Sequence, residues 1–193
     1  MSSHHVIRDG QEPPVFLLNE ASVLHPLLGD LLEWSPITIC MDKAVPALIG
    51  QGYKADHILC QNSTPKQWQF VFDQHYAVSV VKVSNWHDVV DKVQAILDEN
   101  AADFLHVMVG NQDSKKPFEV FEKVVIYGED VKWTWFSQGK FRKWLKAGSM
   151  VLLDGAYTEM SGNYSQQGDV IETAADGIIE INGLINSWIG EVF

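Results

Sequence analysis

The sequence predicts an α/β protein with a smaller all-β domain behind it, and three observations carry that prediction. Short apolar runs alternate with helix-period segments from residue 15 to about residue 125. Several of those runs are continuous and rich in Val, Ile and Leu, as strands covered on both faces require. Near Tyr127 and Gly128 the pattern changes to short, Gly-separated strand-like segments. Alternating strands and helices give a parallel sheet with right-handed crossovers. Residues 14–126 are therefore read as a Rossmann-like, parallel-sheet domain and residues 127–193 as a sandwich-like β domain.

The elements follow in order. Residues 1–13 are polar and read as a loose leading segment. Val15 to Leu18 is a short buried strand, and Ala21 to Trp34 has helical spacing interrupted by Pro26. Ile37 to Met41 is the next strand, and a brief helix over residues 44–49 ends at Gly50 or Gly52. A strand over His57 to Cys60 leads to a helix from Pro65 to about Gln74, with proline in its first turn. Ala77 to Val83 reads as a buried parallel strand. Trp86 to Asn100 is the clearest helix, with Trp86, Val89, Val90, Val93, Ile96 and Leu97 on one face and Asn85 as its N-cap. Phe104 to Val109 is a further strand. The β domain is read as short strands over 131–137, 140–146, 149–153, 170–174 and 178–182.

Composition narrows the function classes. A chain of 193 residues is long enough for one large or two small domains. The net charge of -11 argues against non-specific nucleic-acid binding, which draws on Lys and Arg to neutralise phosphates. No apolar run reaches the roughly 18–20 residues of a membrane span, and no signal peptide is visible, so the expectation is a cytoplasmic protein without membrane contact. Cys40 and Cys60 each end a strand and are read as buried reduced thiols, since a zinc site needs about four regularly spaced ligands. Gly-x-Ser-x-Gly and Gly-x-Gly-x-x-Gly are both absent, which removes the α/β-hydrolase and dinucleotide readings.

The stretch from Ile39 to Thr64 runs ICMDKAVPALIGQGYKADHILCQNST: strand, Asp42, short helix, Gly-x-Gly turn and second strand. This layout resembles the nucleotide-binding opening of the thiamine pyrophosphokinase family, "aaDGGAnrl…g.kPDlivGDfDS". The tail GEDVKWTWFSQGKFRKWLKAGSMVLLDG…DVIETAADGIIEI is similar to that family's C-terminal domain. The resemblance implies a two-domain fold, a homodimer, and transfer of pyrophosphate from ATP to thiamine with magnesium. Such chemistry needs carboxylates to hold the metal.

The implied acids are missing. The family's Gly-Asp-x-Asp-Ser falls on Cys60, Gln61, Asn62, Ser63 and Thr64, and its Asp-x-Thr-Asp on Lys82, Val83, Ser84 and Asn85. In the segment after Gly110, Lys115 stands where the family has arginine, and Pro117 and Phe118 replace its acid and histidine. A lysine lacks the bidentate fork that arginine offers phosphate. Asp42 is the acid that stays in register. The stretch from Asp154 to Asp169 is also shorter than the family's thiamine-contacting segment.

Asp42, Gln61, Asn62, Ser63, Lys82, Asn85 and Lys115 are thus the ligand-binding candidates, with no catalytic residue and no metal ligand assigned. Asp42 reads equally as a ligand-facing acid or as a cap for residues 43–50, and Ser63 and Thr64 as caps ahead of Pro65. Trp133 and Trp135 share one face of a strand, either as core or as a shelf for a ring. Lys140, Arg142, Lys143 and Lys146 read as a solvated strand edge or an anion site. The expected function is a family-like protein that has lost the reaction and binds a small molecule or a partner. Two alternatives stand beside it: an active kinase using displaced acids (Asp42, Asp56, Asp88 or Asp113) with Mg and ATP, or an unrelated scaffold.

Overall fold

The structure is a computed structural model that describes residues 12–72, 78–110 and 114–193, without the side chains of residues 70–72. Two compact units divide the chain, residues 1–113 and 114–193. Residues 114–126, counted with the first domain in the sequence reading, fall in the second unit.

In the first unit the strands are β1 (Val15–Leu17), β2 (Thr38–Met41), β3 (His57–Cys60), β4 (Ser79–Lys82) and β5 (Leu105–Met108). They form a parallel sheet in the order β5-β1-β2-β3-β4. Every residue of β1 and β2 is buried, which explains their unbroken apolar character. β4 departs from expectation: it is the last strand on its side and its residues are half-buried or exposed. Val80 and Val81 reflect β propensity there and not cover on both faces. Ala77 lies outside the described residues.

Pro26 splits the first helical segment into α1 (Glu20–Val23) and α2 (Leu28–Leu32). Asn19 starts α1 by accepting from the Ser22 N–H at 3.1 Å, while the Ser22 hydroxyl accepts from the Asn19 N–H at 2.8 Å. α3 (Val45–Gly50) is short, and Gly52 after it adopts φ +75°. α4 spans Pro65–Phe72; the expected continuation to Gln74 lies outside the described residues. α5 (Trp86–Glu99) buries Val89, Val93, Ile96 and Leu97 of the predicted stripe, while Trp86 and Val90 are half-buried.

β2 and β3 are neighbours, with Cys40 opposite Ile58. Cys60 is therefore two positions further along, about 8 Å from Cys40 between Cα atoms, beyond the reach of a disulfide. Both thiols are buried, and burial pushes both up from the ordinary thiol range.

The second unit contains β6 (Val124–Tyr127), β7 (Val131–Leu145), β8 (Met150–Ala156), β9 (Glu159–Ser161), β10 (Tyr164–Gln167), β11 (Val170–Thr173) and β12 (Gly177–Val192). Pairing is antiparallel in the order β6-β7-β12-β8-β11-β10, with β9 on β12. Here the sequence expectation needs correction. The two segments 131–137 and 140–146 are one strand of 15 residues, and the segment 178–182 opens a strand of 16. Gly139 and Gly183 are bends within strands: the β7–β12 register shifts between Ile181 and Leu184, and Gly183 takes φ +64°.

These bends curve the long antiparallel pair of β7 and β12. Phe141, Leu145, Ile179, Ile181 and Ile189 of β7 and β12 pack with Val151 and Leu153 of β8 and Ile171 of β11. The same curvature brings Lys143 onto Glu191, although the register sets Lys143 opposite Ile179 and Glu191 opposite Lys132. The core of this unit is therefore shared by β7, β8, β11 and β12.

Candidate functional site

In open α/β sheets ligands collect at the carboxyl ends of the strands. In the first unit that end carries Asp42 after β2, Gln61 to Ser63 after β3, and Lys82 at the close of β4. Five of the seven candidates meet there.

Asp42 is 5% exposed. Its Oδ2 accepts three hydrogen bonds: from the Asn62 N–H at 2.7 Å, the Ser63 N–H at 2.7 Å and the Ser63 hydroxyl at 2.8 Å. Oδ1 is also buried and has no hydrogen-bond partner among the described residues. Burial pushes the carboxyl up, but the donors from Ser63 and Asn62 together outweigh it and hold Asp42 below the usual carboxylate range. The carboxylate is thus ionised and tied to the loop that follows β3.

Lys82 pairs with Cys60 across β3 and β4 and reaches over the same loop. Its ammonium donates to the Gln61 carbonyl at 2.9 Å and to the Ser63 carbonyl at 3.1 Å. The loop's N–H groups therefore face an internal anion and its carbonyls an internal cation. Trp68, which the sequence reading missed, adds a third tie: its Nε1 donates to the Ser63 hydroxyl at 2.6 Å. Its place five residues after Ser63, in a helix opened by Pro65, was the available signal.

Asn85 sits apart from this set. Its Oδ1 accepts from the Asp88 N–H at 3.1 Å and so caps α5, while Asp88 accepts from the Ser84 N–H at 2.8 Å. Lys115 belongs to the second unit, where its ammonium lies 2.9 Å from Asp154 and 3.3 Å from the centroid of the Trp133 ring. Lys115, placed by the resemblance against phosphate, is engaged there by a carboxylate and an indole.

Among the described residues, the acids proposed as displaced ligands do not assemble. Asp56 lies at the amino end of β3, where it accepts from the Thr38 N–H at 2.8 Å and pairs with Lys54 at 3.3 Å. That is the opposite end of the strands from Asp42, about 13 Å away along β2. Asp88 is occupied in capping, and Asp113 lies outside the described residues. Among the described residues no three His, Cys, Asp or Glu side chains gather to hold a metal ion. Magnesium needs several oxygen ligands in near-octahedral order. An Asp42 whose one oxygen is saturated and whose other is enclosed does not fit it.

The remaining candidates resolve locally. Trp135 packs on Trp188 at 5.1 Å between centroids, on the same sheet face as Trp133. Arg142 pairs with Glu180 at 3.1 Å and Lys143 with Glu191, so half of the basic cluster is neutralised. Among the described residues no helix is long and apolar enough to cross a membrane.

By sequence, no protein family and no curated protein matches the chain. Solved structures do. A protein from Lactobacillus plantarum superposes with a TM-score of 0.67 at 12% identity, covering 94% of this chain and 98% of that one. Thiamine pyrophosphokinase from Bacillus subtilis gives 0.67 at 10% identity over 94% and 98%. Thiamin pyrophosphokinase from Candida albicans gives 0.57 at 12% identity over 93% and 90%. The fold is that of the thiamine pyrophosphokinases. With identities of 12% and below, the likeness concerns fold alone. Onto this thiamine pyrophosphokinase fold the chain sets Gln61, Ser63 and Lys82 where the sequence resemblance calls for acids.

Proposed function

We propose that this protein keeps the thiamine pyrophosphokinase fold without the metal-dependent transfer, and serves as a non-catalytic protein that binds a small molecule at the carboxyl ends of β2–β4. The observation that carries this reading is the state of Asp42. Its carboxylate is buried and bonded to the Asn62 and Ser63 loop, and Lys82 has its ammonium on the carbonyls of that loop. Pyrophosphoryl transfer rests on positioning Mg-ATP through carboxylates. Removing a single electrostatic contributor already costs about 10²–10³ in rate. What the strand ends offer instead is neutral: the exposed Asn62 and half-buried Gln61 and Ser63 side chains. A homodimer is part of this proposal, drawn from the sequence resemblance.

Titration calorimetry tests it. ATP is titrated into the protein with and without magnesium, and thiamine is titrated separately. The reading expects no magnesium-dependent heat of ATP binding. Magnesium that tightens ATP binding about tenfold or more would refute the loss of the metal site.

A further inference from the structure

On the second unit, Lys115 holds its ammonium 3.3 Å from the Trp133 centroid, 5.7 Å from that of Trp188 and 2.9 Å from Asp154 Oδ2. An ammonium over indole faces with a carboxylate beside it is the chemistry by which proteins bind organic cations. The surroundings are built before any ligand arrives. Trp188 is 2% exposed, its Nε1 donates to Glu119 at 2.9 Å, and Trp135 packs on its ring. Gly190 lies opposite Trp133 on β12, and any side chain there would meet the indole at 2.8 Å. The Asp154 side chain is 64% exposed, so the niche opens to solvent on its anionic side.

We propose that Trp133, Trp188 and Asp154 form a binding site for a monovalent organic cation, and that Lys115 occupies it as a tethered competitor. The ligand class follows from the lining. Asp154 and Glu119 repel anions, and a divalent metal needs more oxygen ligands than one exposed carboxylate provides. A primary ammonium is strongly hydrated. An alkylated ammonium gives up less hydration to lie on the indoles, so it competes well against the lysine. The chain's net charge of -11 concentrates cations around it. This proposal stands apart from the reading of the Asp42 loop.

The test uses tetramethylammonium on the full chain, followed by tryptophan fluorescence and thermal unfolding. Lys115→Ala is expected to bind it about tenfold more tightly than the wild type. Asp154→Asn in the same background should weaken binding several-fold, and Trp133→Leu should abolish it. No saturable response in Lys115→Ala overturns the proposal, and so does a response that survives Trp133→Leu. If Lys115→Ala does not fold, Lys115→Met keeps the aliphatic stem and carries the same comparison. The wild type gives an independent reading by NMR: the Lys115 side-chain resonances, shifted by the indole ring current, should move towards solvent-like values as tetramethylammonium is added. Resonances that stay in place contradict displacement and overturn the proposal.

Discussion

Ser63 gives Asp42 two hydrogen bonds, one from its backbone N–H at 2.7 Å and one from its hydroxyl at 2.8 Å. Where the sequence resemblance places a second metal-holding acid, this chain has a donor, and a donor captures the first acid. An aspartate at residue 63 would set two carboxylates against each other; serine makes the pair self-satisfying.

Removing that acceptor strands its donors. Asp42→Ala leaves the N–H groups of Asn62 and Ser63 without their partner and should lower unfolding stability by about 3 kcal/mol. Asp42→Asn keeps a carbonyl oxygen for the same donors and should cost about half as much. Urea denaturation of the two variants checks the order. Equal losses would mean that a neutral oxygen does not replace the charged acceptor for these donors.

Acid should weaken both units. Asp42 sits below the usual carboxylate range, and so does Glu191, where burial pushes up but Lys143 and Lys132 outweigh it. A carboxyl held low in the folded chain takes up its proton more readily when unfolded. Its contribution is therefore present above about pH 4 and is lost as pH falls through the lower folded value. The urea midpoint should drop between pH 5 and pH 3, and Asp42→Asn should flatten part of that drop (both pH limits are about one unit either side of the free carboxyl value). An unchanged slope in Asp42→Asn would contradict the assignment.

Neither thiol should react in the folded chain. Cys40 and Cys60 are fully buried, and burial raises both. A disulfide reagent at mildly alkaline pH should label them at the rate of unfolding and label both at once in denaturant. Rapid modification of Cys60 under native conditions would show that the loop from residue 61 opens on its own.

Gly155 permits a close approach that no other residue allows. It takes φ +143°, and an added Cβ would lie 2.7 Å from the Ser187 Cα, where the β8–β12 register shifts. Gly155→Ala should cost about 2 kcal/mol or more in thermal or urea unfolding. A neutral substitution would mean that β12 moves aside at no cost.

What the sequence made legible was local. The α5 helix and its Asn85 cap, the buried runs of β1 to β3 and the parallel pairing of the first unit rest on short-range spacing and burial, and they were readable. The long strands were not. Gly139 and Gly183 look like breaks in one dimension, and only the pairing of β7 with β12 turns them into bends. The site was half legible. Gln61, Asn62, Ser63 and Lys82 became candidates because the resemblance sets the family's acid motifs on them, but the bond from Ser63 to Asp42 spans 21 residues and leaves no periodic trace. Lys115 was assigned by its place in a motif, while its partners Trp133 and Asp154 are distant in the chain.

Turnover decides the matter. The purified chain is incubated with ATP, magnesium and thiamine, and AMP is followed over hours at high enzyme concentration. No AMP above the enzyme-free control is the predicted result. AMP released in step with thiamine diphosphate, and abolished by Asp42→Asn, would show that this buried aspartate still serves a living active site.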